Sequence, residues 1–178
     1  MSDFRSTTVL MVRRQGKVCM ASDGQVTFND TVIKSGAAKV KRTAKGQVLV
    51  GFAGGAADGL ALFTRFEGKL DEYQGNLERA VVELAKDWRT DRALRQLQAH
   101  MIVADASQSF LVSGNGDLMQ PDDEGLLAIG SGANYALSAA HALLRHTQLD
   151  ATEVAREAMR IAASICVYTN DQLTLEEL

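Results

Sequence analysis

Apolar residues follow a two-residue period or form short β-branched runs over the first part of the chain, which predicts β-strands. One such run extends over Thr7–Val12 and another over Val18–Ser22. The polar stretch 13–17 contains Gly16 and predicts a hairpin turn between them. Asp23-Gly24 is a turn pair, and the alternation that follows predicts one further strand over 25–33.

The period changes further along the chain. The sequence QVLVGFA predicts a buried strand over 47–53, and apolar residues then recur at helical spacing over 57–70 and 77–97. Three more strands and two closing helices are predicted, at 100–104, 109–113, 126–130, 133–146 and 151–169.

This order of elements constrains the fold. Runs of strands followed by runs of helices indicate an α+β protein with segregated layers instead of alternating βαβ units. Two sheets with helices outside both would bury every apolar face, so the sequence predicts a four-layer αββα sandwich. No low-complexity tract or short repeat divides the chain, and we expect a single domain.

Composition and charge limit the classes of function that we expect for the chain. The chain has 178 residues, 46% of them hydrophobic and 23% charged, and a net charge of -3, which favours neither nucleic acid nor an acidic membrane as a partner. Its two cysteines and three histidines show no metal-ligand spacing. No secretion signal or membrane-length apolar run is present, so we expect a cytoplasmic protein.

Thr7 is the first candidate for chemistry. At a chain terminus, the α-amine of a threonine serves as the base for its own hydroxyl, because its ordinary pKa of about 7.7–8.0 leaves a useful neutral fraction. The ordinary alternative is that Thr7-Thr8 only begins a strand, where β-branched residues are common. On these two residues alone, the strand interpretation is favoured.

Four other residues fit a site around such a nucleophile, and each has a structural alternative. Lys39 would lower the pKa of the hydroxyl, or be one solvated lysine of a basic cluster. Asp23 would orient that lysine, or form a turn. The Gly51 amide would bind an oxyanion, or allow close strand packing. Ser131 would place a hydroxyl at the site, or cap a helix.

Nucleotide binding on this chain is not expected. The stretch IGSGANY has Tyr135 where a dinucleotide fingerprint requires its third glycine, and no GxxxxGK[ST] phosphate loop occurs.

The motifs taken together carry a resemblance. In order, TTV, ASDGQVT, AAKVKR, VGFAGGAAD, VELAKDWRTDRALRQL, SGNGD, LLAIGSGANYA and ICVYTND–LEEL closely resemble the HslV family, the proteasome-like peptidases of the bacterial HslUV protease. The resemblance covers Thr7 to Leu178. It implies an N-terminal-nucleophile hydrolase with the αββα sandwich of proteasome β-subunits.

The resemblance also implies the roles of individual residues. The first threonine of the family's TT motif falls on Thr7, the aspartate of GDGQ on Asp23, and the lysine before V-[KR]-R on Lys39. Ser131 becomes the hydroxyl near the amine, and Gly51 the oxyanion donor. The expected enzyme is a threonine endopeptidase.

A cation and partners follow from the same resemblance. The family binds a monovalent cation, usually sodium, through main-chain carbonyls whose positions fall on Ala163, Cys166 and Thr169. Ala163 stands where glycine is frequent. The family forms two stacked six-membered rings, and a hexameric ATPase, HslU, feeds unfolded polypeptides into them, so ATP is hydrolysed by the partner.

The segment before Thr7 departs from the common family pattern. Residues 1–6 are expected to be removed, leaving 7–178 as the peptidase domain; an uncut segment would block the amine and give a zymogen. Cleavage before Ser6 would instead leave a terminal serine, one residue out of register with Lys39 and Asp23. Two rival functions stay open: a catalytically silent ring subunit, and a stand-alone amidohydrolase acting on a small amide.

Overall fold

The residues that the structure describes form twelve strands and four helices. The computed structural model describes residues 4–5, 7–43, 45–92, 94, 97, 99–113, 116–122 and 125–178. Its strands are β1 (Phe4–Arg5), β2 (Thr8–Arg14), β3 (Lys17–Ser22), β4 (Val26–Phe28), β5 (Thr31–Lys34), β6 (Val40–Arg42), β7 (Leu49–Gly54), β8 (Ala99–Ala104), β9 (Ser109–Val112), β10 (Leu118–Met119), β11 (Leu126–Gly130) and β12 (Thr174–Glu177). The helices are α1 (Ala56–Glu72), α2 (Leu77–Thr90), α3 (Ala133–His146) and α4 (Ala151–Ile165).

Two antiparallel sheets form the centre of the fold. One has the strand order β11-β2-β3-β12 and the other β10-β9-β8-β7-β6. The inner face of β2 and β3 packs across the gap on β7 and β8, through an apolar cluster that includes Val9, Met20, Leu49 and Ile102. A third, small sheet has the order β1-β4-β5.

Each central sheet carries a helix pair on its outer face. Helices α1 and α2 cover β7–β9 around the fully buried Trp88. Helices α3 and α4 cover β2 and β3, with α4 packed through small residues such as Ala155 and Ala158. The layer order is therefore α, β, β, α, which confirms the predicted four-layer sandwich.

Several element boundaries differ from the prediction. The strand expected over 25–33 is a hairpin, because Asn29 takes a left-handed backbone conformation with φ 50°. Helix α2 ends at Thr90 instead of residue 97; Asp91 leaves the helical conformation and its carboxylate accepts from the Leu94 amide at 3.4 Å. Helix α4 ends at Ile165 instead of residue 169.

The short strands β1, β6, β10 and β12 were not predicted. The first lies in the segment 1–6, of which only Phe4 and Arg5 are described, so Ser6 falls outside the described residues. None of the helices formed by the described residues is long and apolar enough to cross a membrane.

Candidate active site

The Asp23 carboxylate is the centre of the site. It is fully buried in the turn after β3, and its Oδ1 accepts the Thr8 amide at 2.7 Å and the Lys39 ammonium at 2.9 Å. Its Oδ2 accepts the Gln25 amide at 2.9 Å. The carboxylate thus links the start of β2 to the residue just before β6.

Lys39 is buried, whereas the basic residues near it in sequence are mostly exposed. Only 4% of Lys39 is accessible, and its ammonium also donates to the Gln25 carbonyl at 2.5 Å. Burial lowers the pKa of Lys39 from its ordinary value of 10.5, and the nearby Asp23 charge opposes that change. A desolvated cation beside the start of β2 is suited to lower the pKa of a hydroxyl nucleophile.

The peptide unit between Thr7 and Thr8 is held at both ends. The Thr7 carbonyl accepts the Ser131 amide at 2.8 Å, while the Thr8 amide donates to Asp23. Gly130 has φ 97°, and a β-carbon there would collide with the Thr7 carbonyl oxygen. This close approach requires glycine at position 130 and fixes the backbone of Thr7 in the site.

Thr8 forms a second set of contacts that the sequence did not predict. Its side chain is fully buried, and Oγ1 accepts the Gly132 amide at 2.8 Å and contacts Thr169 Oγ1 at 2.7 Å. A β-carbon at Gly132 would lie only 2.5 Å from Thr8 Oγ1. The hydroxyl therefore joins β2 to the start of α3 and to the turn after α4.

Two cavities meet at Thr7, and both are bordered by Gly54. The β4-side cavity has a volume of about 620 Å³ and includes Val26, Thr27 and Lys39. The β9-side cavity, of about 580 Å³, includes Leu111, Met119 and Ser131. Thr7 is 5% exposed between them. A polypeptide could therefore extend to either side of the Thr7 hydroxyl.

The structure corrects the expectation for Gly51. This residue borders neither cavity; a β-carbon there would lie 2.6 Å from Val9 Cγ1 and 2.8 Å from Met20 Sδ, so its glycine is required by sheet packing. The Phe52 amide donates toward β6, to the Lys39 carbonyl. Because amides alternate along a strand, the Gly51 amide points to β8, opposite Ile102 in the ladder.

Gly54 is better placed than Gly51. It shares the amide direction of Phe52, but the pairing of β6 with β7 extends only to Gly51, so β6 has no residue opposite it. Its φ of 124° is one that glycine adopts readily. The alternation of amide directions along β7 could have been predicted from the sequence. The residue at which β6 stops pairing with β7 could not.

The other site residues predicted from the sequence lie in two parts of the structure. Thr7, Asp23, Lys39 and Ser131 are brought together, with Ser131 contributing its amide to the Thr7 carbonyl and bordering the β9-side cavity. Ala163, Cys166 and Thr169 lie at the end of α4 and in the turn that follows it, and of these three Thr169 contacts Thr8. Among the described residues, no cluster of His, Cys, Asp and Glu side chains is suited to a metal ion.

Three comparisons with known proteins give the family of the chain. The family model described as Proteasome subunit matches residues 4–178. The ATP-dependent protease subunit HslV of Syntrophobacter fumaroxidans is 58% identical over 172 residues, 97% of this chain and 96% of the relative. That of Pseudothermotoga lettingae is 56% identical over 176 residues, 99% of each chain.

A solved structure provides the third comparison. The crystal structure of eukaryotic HslV from Trypanosoma brucei aligns with a TM-score of 0.92 and 44% identity, covering 96% of this chain and 98% of that one. On these grounds, the chain belongs to the HslV family of proteasome-type protease subunits.

Proposed function

We propose that this chain is the peptidase subunit of an ATP-dependent protease, with Thr7 as an N-terminal nucleophile. The observation that carries the proposal is the buried Asp23 carboxylate, which binds both the Thr8 amide and the Lys39 ammonium. This arrangement places a desolvated cation next to a threonine whose backbone is fixed between two cavities.

Activation requires a free Thr7 amine. The Thr7 hydroxyl attacks the Ser6 carbonyl, the C–N bond breaks as the ester forms, and the nitrogen receives a proton. Water then hydrolyses the ester, releasing the preceding segment as a carboxylic acid. The product has a free α-amine next to the Thr7 hydroxyl, whereas in an uncut chain the Thr7 nitrogen is part of a peptide bond.

Peptide hydrolysis follows the same chemistry. The amine accepts the Oγ proton, the alkoxide attacks a substrate carbonyl, and the amine passes the proton to the leaving nitrogen. Water hydrolyses the resulting ester and regenerates Thr7. We assign the main oxyanion donor to the Gly54 amide in place of Gly51; loss of one such donor typically lowers the rate by about 10²–10³.

Lys39 acts through its charge. Its ammonium stabilises the developing alkoxide and disfavours protonation of the nearby amine, while Asp23 and the Gln25 carbonyl keep it oriented. Ser131 holds the Thr7 carbonyl through its amide, and it borders the β9-side cavity together with Thr7.

The partners in this proposal are a hexameric HslU ATPase and other copies of the chain, arranged as two stacked six-membered rings that receive unfolded polypeptides. The names of the relatives, ATP-dependent protease subunits, support an ATPase partner. Exposed apolar side chains on several elements, such as Ile165 of α4 at 55% exposure, are consistent with assembly. Free thiols at Cys19 and Cys166 are consistent with a reducing cytoplasm.

A monovalent cation is part of the proposal. The carbonyls of Ala163, Cys166 and Thr169 are hard oxygen donors at the C-terminal end of α4, where the helix dipole is negative, so this donor set fits a sodium ion. Asp171 borders the same cavity as Ala163 and Thr169, and so does the oppositely charged Arg160. When bound, the cation would supply positive charge that fixes this turn.

The two rival functions predict different results from one experiment. We would purify the full chain and determine its intact mass and first residue, then compare peptide hydrolysis by wild type and Thr7→Ala. The proposal expects a chain beginning at Thr7 and no hydrolysis by Thr7→Ala. An uncut, inactive chain would favour the silent ring subunit, and cleavage of small amides alone would favour the amidohydrolase.

A further inference from the structure

The chain's own N-terminal strand shows which cavity lies on the acyl side of a scissile bond. Strand β1 pairs antiparallel with the edge of β4, with Phe4 opposite Phe28 and Arg5 opposite Thr27. Phe4 and Arg5 precede Thr7, so in the proposed self-cleavage they belong to the acyl product. Thr27 also borders the β4-side cavity. The acyl side of a substrate therefore corresponds to β4 and the cavity next to it.

The β9-side cavity lies on the other side of the same nucleophile. Both cavities include Thr7 and Gly54, but the β9-side cavity includes no residue of β4 or β5. Since the acyl segment leaves the Thr7 hydroxyl along β4, the remaining part of a bound peptide extends toward β9 and β11. That part begins with the residue whose nitrogen is released.

The chemistry of this cavity differs from that of its neighbour. The β4-side cavity includes three lysines, Lys34, Lys39 and Lys41. Among the described residues that border the β9-side cavity, His100 has the only ionisable side chain. Its apolar lining consists of Ala53, Leu111, Met119, Ala128, Ile129 and Ala133.

We propose that the β9-side cavity binds the residue immediately after the scissile bond and selects an apolar side chain there. This inference rests on the proposed function, since it assumes that Thr7 is the nucleophile. Burial of a leucine-sized side chain against this lining would stabilise the bound peptide, whereas a carboxylate would lose hydration with no lysine or arginine among the described lining residues to pair with.

Met119 provides the test of this selection. It lies on the short strand β10, is half exposed, and borders the β9-side cavity, so a charged side chain there is compatible with folding. Met119→Lys would favour an acidic residue after the scissile bond, and Met119→Glu would disfavour it further. The two variants change the same position in opposite electrostatic directions, which a general loss of structure cannot do.

The experiment uses the processed full-length protein and two internally quenched peptides that differ only in the residue after the scissile bond, Leu or Glu. Mass spectrometry of the products confirms where each peptide is cut. We expect wild type to prefer the Leu peptide by roughly tenfold in kcat/KM. Met119→Lys should lower the Leu-to-Glu ratio, Met119→Glu should raise it, and Met119→Leu should keep it.

Val32→Lys is the matched control, because Val32 is 51% exposed and borders neither cavity. Equal wild-type rates for the two peptides, or the same change of ratio in Val32→Lys as in Met119→Lys, would overturn the inference while the proposed function stood. If wild type cut neither peptide and matched Thr7→Ala, both would be overturned together.

Discussion

Lys39 shows how one residue of a basic cluster becomes functional. The cluster also contains Lys34, Arg42 and Lys45, and these three are exposed, whereas Lys39 is buried. An unpaired buried ammonium would be strongly destabilising, so its position depends on Asp23 and the Gln25 carbonyl. The other three remain hydrated at the surface, so their charges need no buried partner. Composition alone did not distinguish them from Lys39.

The lowered pKa of Lys39 predicts a bell-shaped pH dependence. Activity should rise as the Thr7 amine loses its proton, at a pH no higher than the ordinary amine pKa of about 7.7–8.0, and fall as Lys39 loses its charge, at a pH below its ordinary pKa of 10.5. Peptide hydrolysis measured as kcat/KM against pH would show both limbs. In Lys39→Arg, whatever activity remains should lack the alkaline limb, since the guanidinium stays charged.

Unfolding does not explain the alkaline limb. Because the pKa of Lys39 is lower in the folded chain than in the unfolded one, the unfolded chain binds more protons between those two values, and the contribution of Lys39 to the free energy of unfolding rises with pH there. Activity would thus fall where this contribution increases. An unchanged alkaline limb in Lys39→Arg would contradict the assignment.

At the level of elements, the start of β2 is held by residues that flank two helices, α3 and α4. Thr8 contacts the Gly132 amide before α3 and the Thr169 hydroxyl beyond α4. The early end of α4 follows from this, because Thr169 leaves the helical path and its amide bonds the Cys166 carbonyl at 3.0 Å instead. Helical periodicity within 151–169 carried no sign of that tertiary contact.

Thr8 is therefore expected to position the nucleophile. Thr8→Val keeps the shape of the side chain but removes both hydroxyl contacts, so kcat should fall roughly tenfold or more with little change in KM, since small misplacements of a reacting group are costly. The free energy of unfolding should fall by about 1–3 kcal/mol because the Gly132 amide loses its partner. Thr8→Ser, which retains the hydroxyl, should restore most of kcat. A Thr8→Val protein with unaltered kcat and raised KM would show that Thr8 has another role.

At the level of the whole molecule, the distance between the two central sheets depends on Gly51. Its missing side chain leaves room for Val9 and Met20 of the opposite sheet. The sequence could only offer two explanations for this glycine, an oxyanion donor or close packing, because a backbone amide direction and an inter-sheet contact both depend on register.

Packing at Gly51 gives a prediction that separates these explanations. Gly51→Ala should lower the free energy of unfolding by about 1–3 kcal/mol, since the added methyl overfills the gap at Val9 Cγ1. Combining it with Val9→Ala should cost less than the two single changes added together, because the smaller side chain makes room for the methyl. Denaturant unfolding of the four proteins measures this coupling. Strictly additive losses would argue against the packing role.

The sequence by itself determined the layer order, since two-residue and helical periodicities reflect which faces must be buried, and these are local properties. It also assigned Thr7, Asp23, Lys39 and Ser131 to the candidate site, through the motifs that carry the resemblance to the HslV family. Only the tertiary structure decided what surrounds them: Thr8 contacts the Thr169 hydroxyl, which is 161 residues away in sequence, and Gly54 borders both cavities. Hydrogen-bond direction, strand register and the point where pairing stops are set by neighbouring elements, so no local pattern encodes them.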